Sequence, residues 1–282
     1  MSHDDAVSIR TLFISDLHLG CKHAQPSQVL KFLHSYRPDR LYLVGDIIDG
    51  WKLGSRWRWS SECDAIVSKV SDWMTQGTQV YYLPGNHDAF LRSPQNSRWL
   101  HGQFQGIEVA DEFIFESLSG WRLLVTHGDR FDIVETRMQW LSKAIGWPYE
   151  IVLSLNWWLA RWMGGECINP YGGCGWLKDR VKRAIRFASG FEKRILQHAR
   201  VRACQGVICG HLHTPALTQN DQMIYGNTGD WIENCTALIE HHSGALKLES
   251  LYQVDRTLEL VEDVKQIVAP EQCRPTNELH AA

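Results

Sequence analysis

Five times along this chain an apolar run ends in side chains able to hold a metal ion. Leu12-Phe13-Ile14 leads to Asp16-Leu17-His18, and Leu41-Tyr42-Leu43-Val44 leads to Gly45-Asp46-Ile47-Ile48-Asp49. Val80-Tyr81-Tyr82-Leu83 leads to Gly85-Asn86-His87-Asp88. Leu123-Leu124-Val125 leads to His127-Gly128-Asp129, and Val207-Ile208-Cys209 to Gly210-His211-Leu212-His213. Hard divalent ions take carboxylate and amide oxygens, and imidazole suits Mn, Fe, Zn and their neighbours. A mixed Asp/His/Asn set without cysteine points to a catalytic centre rather than a structural zinc. Asp46 reads as a carboxylate bridging two ions, which then sit about 3.5–4 Å apart, clamp a phosphate and lower the pKa of a shared water. The hydroxide so formed attacks phosphorus in line with the leaving oxygen.

His87 is not needed as a ligand. Its expected role is to protonate the leaving group or steady charge on the phosphate, with Asp88 fixing its tautomer; the plainer alternative is a structural hydrogen bond. Asp49 and Asp129 read equally well as orienters of ligands or as turn residues.

The elements that must position these residues follow from the apolar pattern. Ile9–Ser15 reads as a strand. A helix begins at Pro26, carries Val29, Phe32, Leu33 and Tyr36 on one face, and stops at Pro38. Leu41–Val44 is the second strand. Ser61-Glu62-Cys63-Asp64 fits a capping box before a helix bearing Ile66, Val70 and Trp73, and Gln79–Leu83 is the third strand. Strand, helix, strand, helix, strand is an α/β pattern, which places the chemistry at the carboxyl edge of a sheet. Glu112–Leu118 and Trp121–Thr126 pair through the turn Ser119-Gly120, and Gly206–Cys209, Met223–Tyr225, Cys235–Glu240 and Ala245–Leu251 complete the sheet.

Between His127 and His211 the pattern turns helical. Residues 132–202 read as an inserted cap, with residues 1–131 and 203–264 forming the core and 265–282 a disordered tail. The insertion is apolar first, with Trp157, Trp158 and Trp162, then basic: residues 176–202 hold nine Lys/Arg against two acids. Packing between cap and core is the simpler reading of the tryptophans, and a solvated face that of the basic helix. The sharper reading joins them: Trp157 and Trp158 admit acyl chains at a membrane interface, while Arg180, Lys182 and Arg183 line a wall for a diphosphate or for anionic lipid headgroups. A nuclease would spread aromatic and basic residues along an open groove, so a nucleic-acid partner is not expected.

The 282 residues, 44% of them hydrophobic, suit one core with one insertion, and the formal net charge of −3 names no partner. Eight cysteines form no CxxC pair. With no basic-then-apolar start and no run of about 18 apolar residues, the expected location is a reducing cytoplasm; the apolar-then-basic insertion adds the reading of peripheral contact at the cytoplasmic face of the inner membrane.

Asp16-x-His18, Gly45-Asp46-x-x-Asp49, Gly85-Asn86-His87-Asp88, His127 and Gly210-His211-x-His213 together resemble the motif series of the calcineurin-like metallophosphoesterases. The resemblance implies a four-layer α/β/β/α double β-sandwich. It implies one metal held by Asp16, His18, Asp46 and His213, and another by Asp46, Asn86, His127 and His211, with His87 as the outer-sphere acid. Manganese is the expected ion, and iron, zinc or magnesium would suit the same ligands. Phe13-Ile14-Ser15-Asp16-Leu17-His18-Leu19, His127-Gly128-Asp129 and the helical insertion further resemble the bacterial UDP-2,3-diacylglucosamine diphosphatase group of the lipid A pathway. That likeness implies cleavage of a lipid-linked nucleotide to UMP and a lipid sugar phosphate. The alternative is a phosphodiesterase, phosphomonoesterase or nuclease with a soluble substrate. Members of the diphosphatase group carry arginine where this chain has His87.

Overall fold

The computed structural model describes residues 6–52, 57–93, 95–96, 106–132, 190–220 and 223–254. The chain opens with β1 (Val7–Ile14), α1 (Pro26–His34), β2 (Tyr36–Leu43), α2 (Ser61–Thr75), β3 (Gln79–Tyr82), β4 (Glu108–Val109), β5 (Glu112–Glu116) and β6 (Arg122–Thr126). It continues with α3 (Phe191–Val201), β7 (Gly206–Cys209), β8 (Ala216–Asn220), β9 (Met223–Asn227), β10 (Thr236–Glu240) and β11 (Leu246–Ser250). The strands form two mixed sheets, in the orders β11-β10-β1-β2-β3-β4 and β5-β6-β7-β9-β8. β1 to β4 run parallel, as do β6, β7 and β9, so their carboxyl ends share an edge within each sheet.

Alternation along the strands explains why the two sheets stack. Phe13, Tyr42, Val44 and Leu83 of the first sheet pack against Phe115, Leu123, Val125 and Ile208 of the second. The opposite faces of β1–β3 are covered by α1 and α2 through Val29, Phe32, Leu33, Ile66, Val70 and Trp73. The outer face of the second sheet is covered by α3 through Phe191, Ile195 and Ala199, set against Leu124, Val207 and Cys209. The result is a four-layer α/β/β/α sandwich. Each fully buried large side chain contributes roughly 1.5–3 kcal/mol. Cys204 and Cys209 are both buried, as free thiols.

Several local expectations change. β2 starts at Tyr36, so Tyr36 belongs to a strand rather than to the α1 face, although its ring still lies 4.9 Å from that of Phe32. Pro38 sits inside β2, where its missing N–H costs no ladder bond because β3 joins only from Arg40 onward. Its carbonyl accepts a hydrogen bond from Thr78 Oγ1 at 2.7 Å. The cap of α2 is Ser60, one residue before the expected box, and it makes no side-chain capping bond. β4 and β8 were not expected: β4 is two residues long, and β8 (Ala-Leu-Thr-Gln-Asn) alternates weakly. Residues 191–201 fall in the stretch expected to be inserted, yet Phe191, Ile195 and Ala199 at helical spacing bury that helix on the second sheet. The remaining residues of the expected insertion, 133–189, and the tail 265–282 lie outside the described residues, and with them Trp157, Trp158, Arg180, Lys182 and Arg183. Among the described residues no helix is long and apolar enough to cross a membrane.

Candidate metal centre

The loops that follow the strand ends are held in an uncommon backbone state. Asp16, His18, Asp46, His211 and His213 all have left-handed φ, of 55°, 47°, 53°, 68° and 49°. Side-chain-bearing residues seldom adopt this region, at a cost of order 1–3 kcal/mol each, and such strain gathers at functional sites. The first two loops hold each other in it: Asp16 N donates to Gly45 O (3.0 Å), His18 N to Asp46 O (2.9 Å) and Leu19 N to Ile47 O (2.9 Å). Close approach then requires glycine at two neighbouring points. A methyl group on Gly85 would fall on the Asp46 carboxylate and His127 Nε2, and one on Gly45 would fall on the His127 ring.

The donor atoms converge in two groups. Asp16 Oδ1 lies 3.0 Å from His213 Nε2 and 3.9 Å from His18 Nε2, and those two imidazole nitrogens are 3.3 Å apart. His127 Nε2 lies 3.5 Å from Asp46 Oδ2 and 3.2 Å from Asn86 Oδ1. Asp46 stands between the groups, since its Oδ2 is also 3.9 Å from His18 Nε2. His127 Nδ1 lies 2.9 Å from the Val44 carbonyl, and donation there turns Nε2 inward. One atom tests the fit of a cation directly. Asp16 Oδ1 is buried and accepts no hydrogen bond, although His213 is so near. A buried carboxylate oxygen left this way wants a cation, and the Asp/His/Asn donor set suits a divalent one.

His211 stands slightly apart. Its backbone N–H donates to Asp16 Oδ2 (3.1 Å), its ring meets His127 edge-on at 5.3 Å, and its Nε2 lies 3.3 Å from Asp132 Oδ2. Six of the seven expected ligands thus bring side-chain donors to the two groups, and the seventh lines their margin with Asp132. Asp132 had no signal in the sequence beyond its place five residues after His127.

The partner of His87 is a correction. His87 Nδ1 lies 3.0 Å from Asp49 Oδ1, and Asp49 is buried. Asp88, expected to fix the His87 tautomer, points the other way. Its carboxylate accepts from Ile47 N (2.9 Å), Tyr82 Oη (2.6 Å) and Gly85 N (2.5 Å), pinning the loop rather than the imidazole. Adjacent residues in this loop send their side chains to opposite sides, so the neighbour in sequence is not the neighbour in space. Asp49, three residues past Asp46, was one of two equal readings. Trp51 was missed: its ring stacks on His87 at 3.9 Å and its Nε1 donates to Asn86 O at 2.9 Å. Asp129, the other open reading, accepts from Arg92 Nη2 at 2.9 Å.

The charges of the site support one another. Burial opposes ionisation of Asp46, but the imidazoles of His127, His87 and His18 hold its carboxyl well below the usual range. Burial likewise opposes a charge on His87, but the Asp49 hydrogen bond and the Asp46 charge raise it above an ordinary histidine. Burial and the nearby Asp46 charge push Asp88 up to about 6.

Residues 9–215 match the family described as calcineurin-like phosphoesterase. The chain belongs to that family, and it is a metal-dependent phosphohydrolase. A UDP-2,3-diacylglucosamine hydrolase of Vibrio cholerae serotype O1 is 25% identical over 248 residues, covering 82% of this chain and 94% of its own. One of Shewanella baltica (strain OS185) is 27% identical over 260 residues, covering 86% and 98%. Among solved structures, Yfce, a phosphoesterase from E. coli, aligns over 92% of this chain and 99% of its own, with a TM-score of 0.45 and 15% identity.

Proposed function

We propose that the protein is a two-metal phosphohydrolase that cleaves the diphosphate of UDP-2,3-diacylglucosamine, or of a related lipid-linked nucleotide, to UMP and a lipid sugar phosphate. The observation that carries the two-metal reading is Asp46, whose Oδ2 faces His18 on one side and His127 on the other. In this reading Asp16, His18, Asp46 and His213 hold one ion, and Asp46, Asn86, His127 and His211 the other. When bound, such a pair neutralises phosphate charge and lowers the pKa of a water. The chain's own residues do the rest. His87 gives a proton from Nε2 to the leaving oxygen, Asp49 holds Nδ1, and Trp51 keeps the ring from turning. General acids of this kind contribute typically about 10²–10⁴-fold.

The lipid-linked substrate is supported by the names of the relatives and by the apolar-then-basic insertion. In this reading residues beyond Asp132 cap the site, Trp157 and Trp158 receive acyl chains, and Arg180, Lys182 and Arg183 receive the diphosphate. The work is placed at the cytoplasmic face of the inner membrane, where an acylated substrate lies, and manganese is the proposed ion. A departure from the family resemblance favours a second reading, a soluble phosphodiester: this chain has His87 where the resemblance implies arginine.

Purified protein with added Mn²⁺ in detergent, given UDP-2,3-diacylglucosamine beside a chromogenic phosphodiester, decides between the two. Metal-dependent UMP release, strongly preferred over the generic ester, is the expected result. Turnover of the generic ester alone would discard the lipid substrate and keep the metal centre.

A further inference from the structure

Asn86 and His127 meet across a seam. Asn86 follows β3 in the first sheet and His127 follows β6 in the second, and the two strands share no ladder. Their donor atoms nevertheless lie 3.2 Å apart. Beside them one side chain ties the two loops together. Arg92 Nη2 donates to the Pro84 carbonyl (2.8 Å), two residues before Asn86, and to Asp129 Oδ2 (2.9 Å), two residues after His127. Its Nε donates to Asp111 Oδ1 (3.1 Å), whose other oxygen takes Arg130 Nη2 (2.7 Å). The base of Arg92 is itself fixed, because it ends the short 3₁₀ turn Ala89–Arg92, whose Leu91 is buried in the core between the first sheet and its helices α1 and α2. Asp129 is buried as well, so its charge needs this partner.

We propose that Arg92 is a positioning residue for the metal site shared by Asn86 and His127: its guanidinium sets their separation across the seam, and hence the affinity of that site alone. The inference rests on the two-metal reading above. A planar fork holds its donors in fixed directions on separate nitrogens and so spans acceptors on three segments, whereas the three donors of an ammonium sit on one freely rotating nitrogen and set no such spacing. The Arg92 hydrogen bonds go to Pro84, Asp111 and Asp129, whereas the other site, built on Asp16, His18 and His213, is held by the Asp16–Gly45 and His18–Asp46 backbone bonds.

The experiment is a Mn²⁺ titration of the full chain after chelator treatment, followed by calorimetry and electron paramagnetic resonance. The wild type is expected to take two ions and show a spin-coupled pair. Arg92→Ala should keep one tight ion and bind the second roughly 10–100-fold more weakly, the range seen when outer partners of ligands are lost. The coupled signal should give way to that of an isolated ion, and Arg92→Lys should restore affinity only in part. Unchanged affinities in Arg92→Ala, or equal weakening of both ions, would overturn the proposal. Should Arg92→Ala fail to fold, Asp129→Ala cuts the same tie from the other side. Selective loss of one ion there supports the proposal, and intact two-site binding overturns it. A wild type that never takes a second ion would refute the two-metal reading itself, a result separate from any effect of Arg92.

Discussion

The two sheets bring opposite halves of the site. Loops of the first carry the acids Asp16, Asp46, Asp49 and Asp88, all at most 2% exposed, together with His18, Asn86 and His87. Loops of the second carry the imidazoles His127, His211 and His213. Buried carboxylates without compensation cost several kcal/mol. Here the compensation comes largely from the other sheet: His127 is the foremost group holding Asp46 ionised, and His213 does the same for Asp16. The first half is zipped by backbone bonds and pinned by Asp88, whereas the second reaches it through its imidazoles and through the backbone N–H groups of His211 and Trp231, both of which donate to Asp16. Neither half is a site alone. Docking of the sheets makes it one, and stacking of their apolar inner faces drives that docking.

The sharpest way to break this comparison is at the residue both halves share. Asp46→Asn is expected to abolish turnover and weaken metal binding at both proposed sites, read by calorimetry and activity together; a normal rate would end the proposed bridging role. Next, His87→Asn should slow chemistry by about 10²–10⁴-fold while metal content stays at the wild-type value. Loss of metal in that variant would make His87 a ligand instead. Asp49→Asn should cost less, roughly 10–100-fold in kcat with KM nearly unchanged, because it acts through His87.

Asp88→Asn sharpens the contrast between two neighbouring acids, since it should act on stability more than on chemistry. In chelator-treated protein the Asp88 carboxyl is pushed up to about 6, above its unfolded value of about 3.9. The folded state therefore binds that proton more readily than the unfolded one. Its contribution to stability is greatest below about pH 4 and falls as pH rises through 6. Asp88→Asn should lower stability overall, by about 1–3 kcal/mol for acceptors lost from a buried loop. It should also flatten that fall, as urea melts from pH 4 to 7 would register. An unchanged pH slope would remove Asp88 from the titration.

Much of the site was legible because parallel strands end at one edge. Any Asp, His or Asn just past an apolar run is then delivered to the same rim, and five runs nominated Asp16, His18, Asp46, Asn86, His127, His211 and His213. What was not legible depended on direction within loops. Asp88 adjoins His87 and reads as its partner, but the carboxylate turns back to Ile47 and Gly85 and leaves the imidazole to Asp49. Trp51, Arg92 and Asp132 belong to no motif, and their contacts span 79 residues at the most distant, between Asp132 and His211. Residues 176–202 read as a basic helix with a solvated face, and only the docking on the second sheet shows that Phe191, Ile195 and Ala199 bury its last part.

By itself the sequence determined the α/β order of elements, the ligand-type residues and their place at strand ends, since these follow from local periodicity and from residue chemistry. The tertiary structure alone decided which acid serves His87, which arginine ties the two sheets, and that Asp46 faces both groups of donors. Those outcomes depend on left-handed loop residues and on the docking of two sheets across a seam, where a change of one residue's direction exchanges one partner for another.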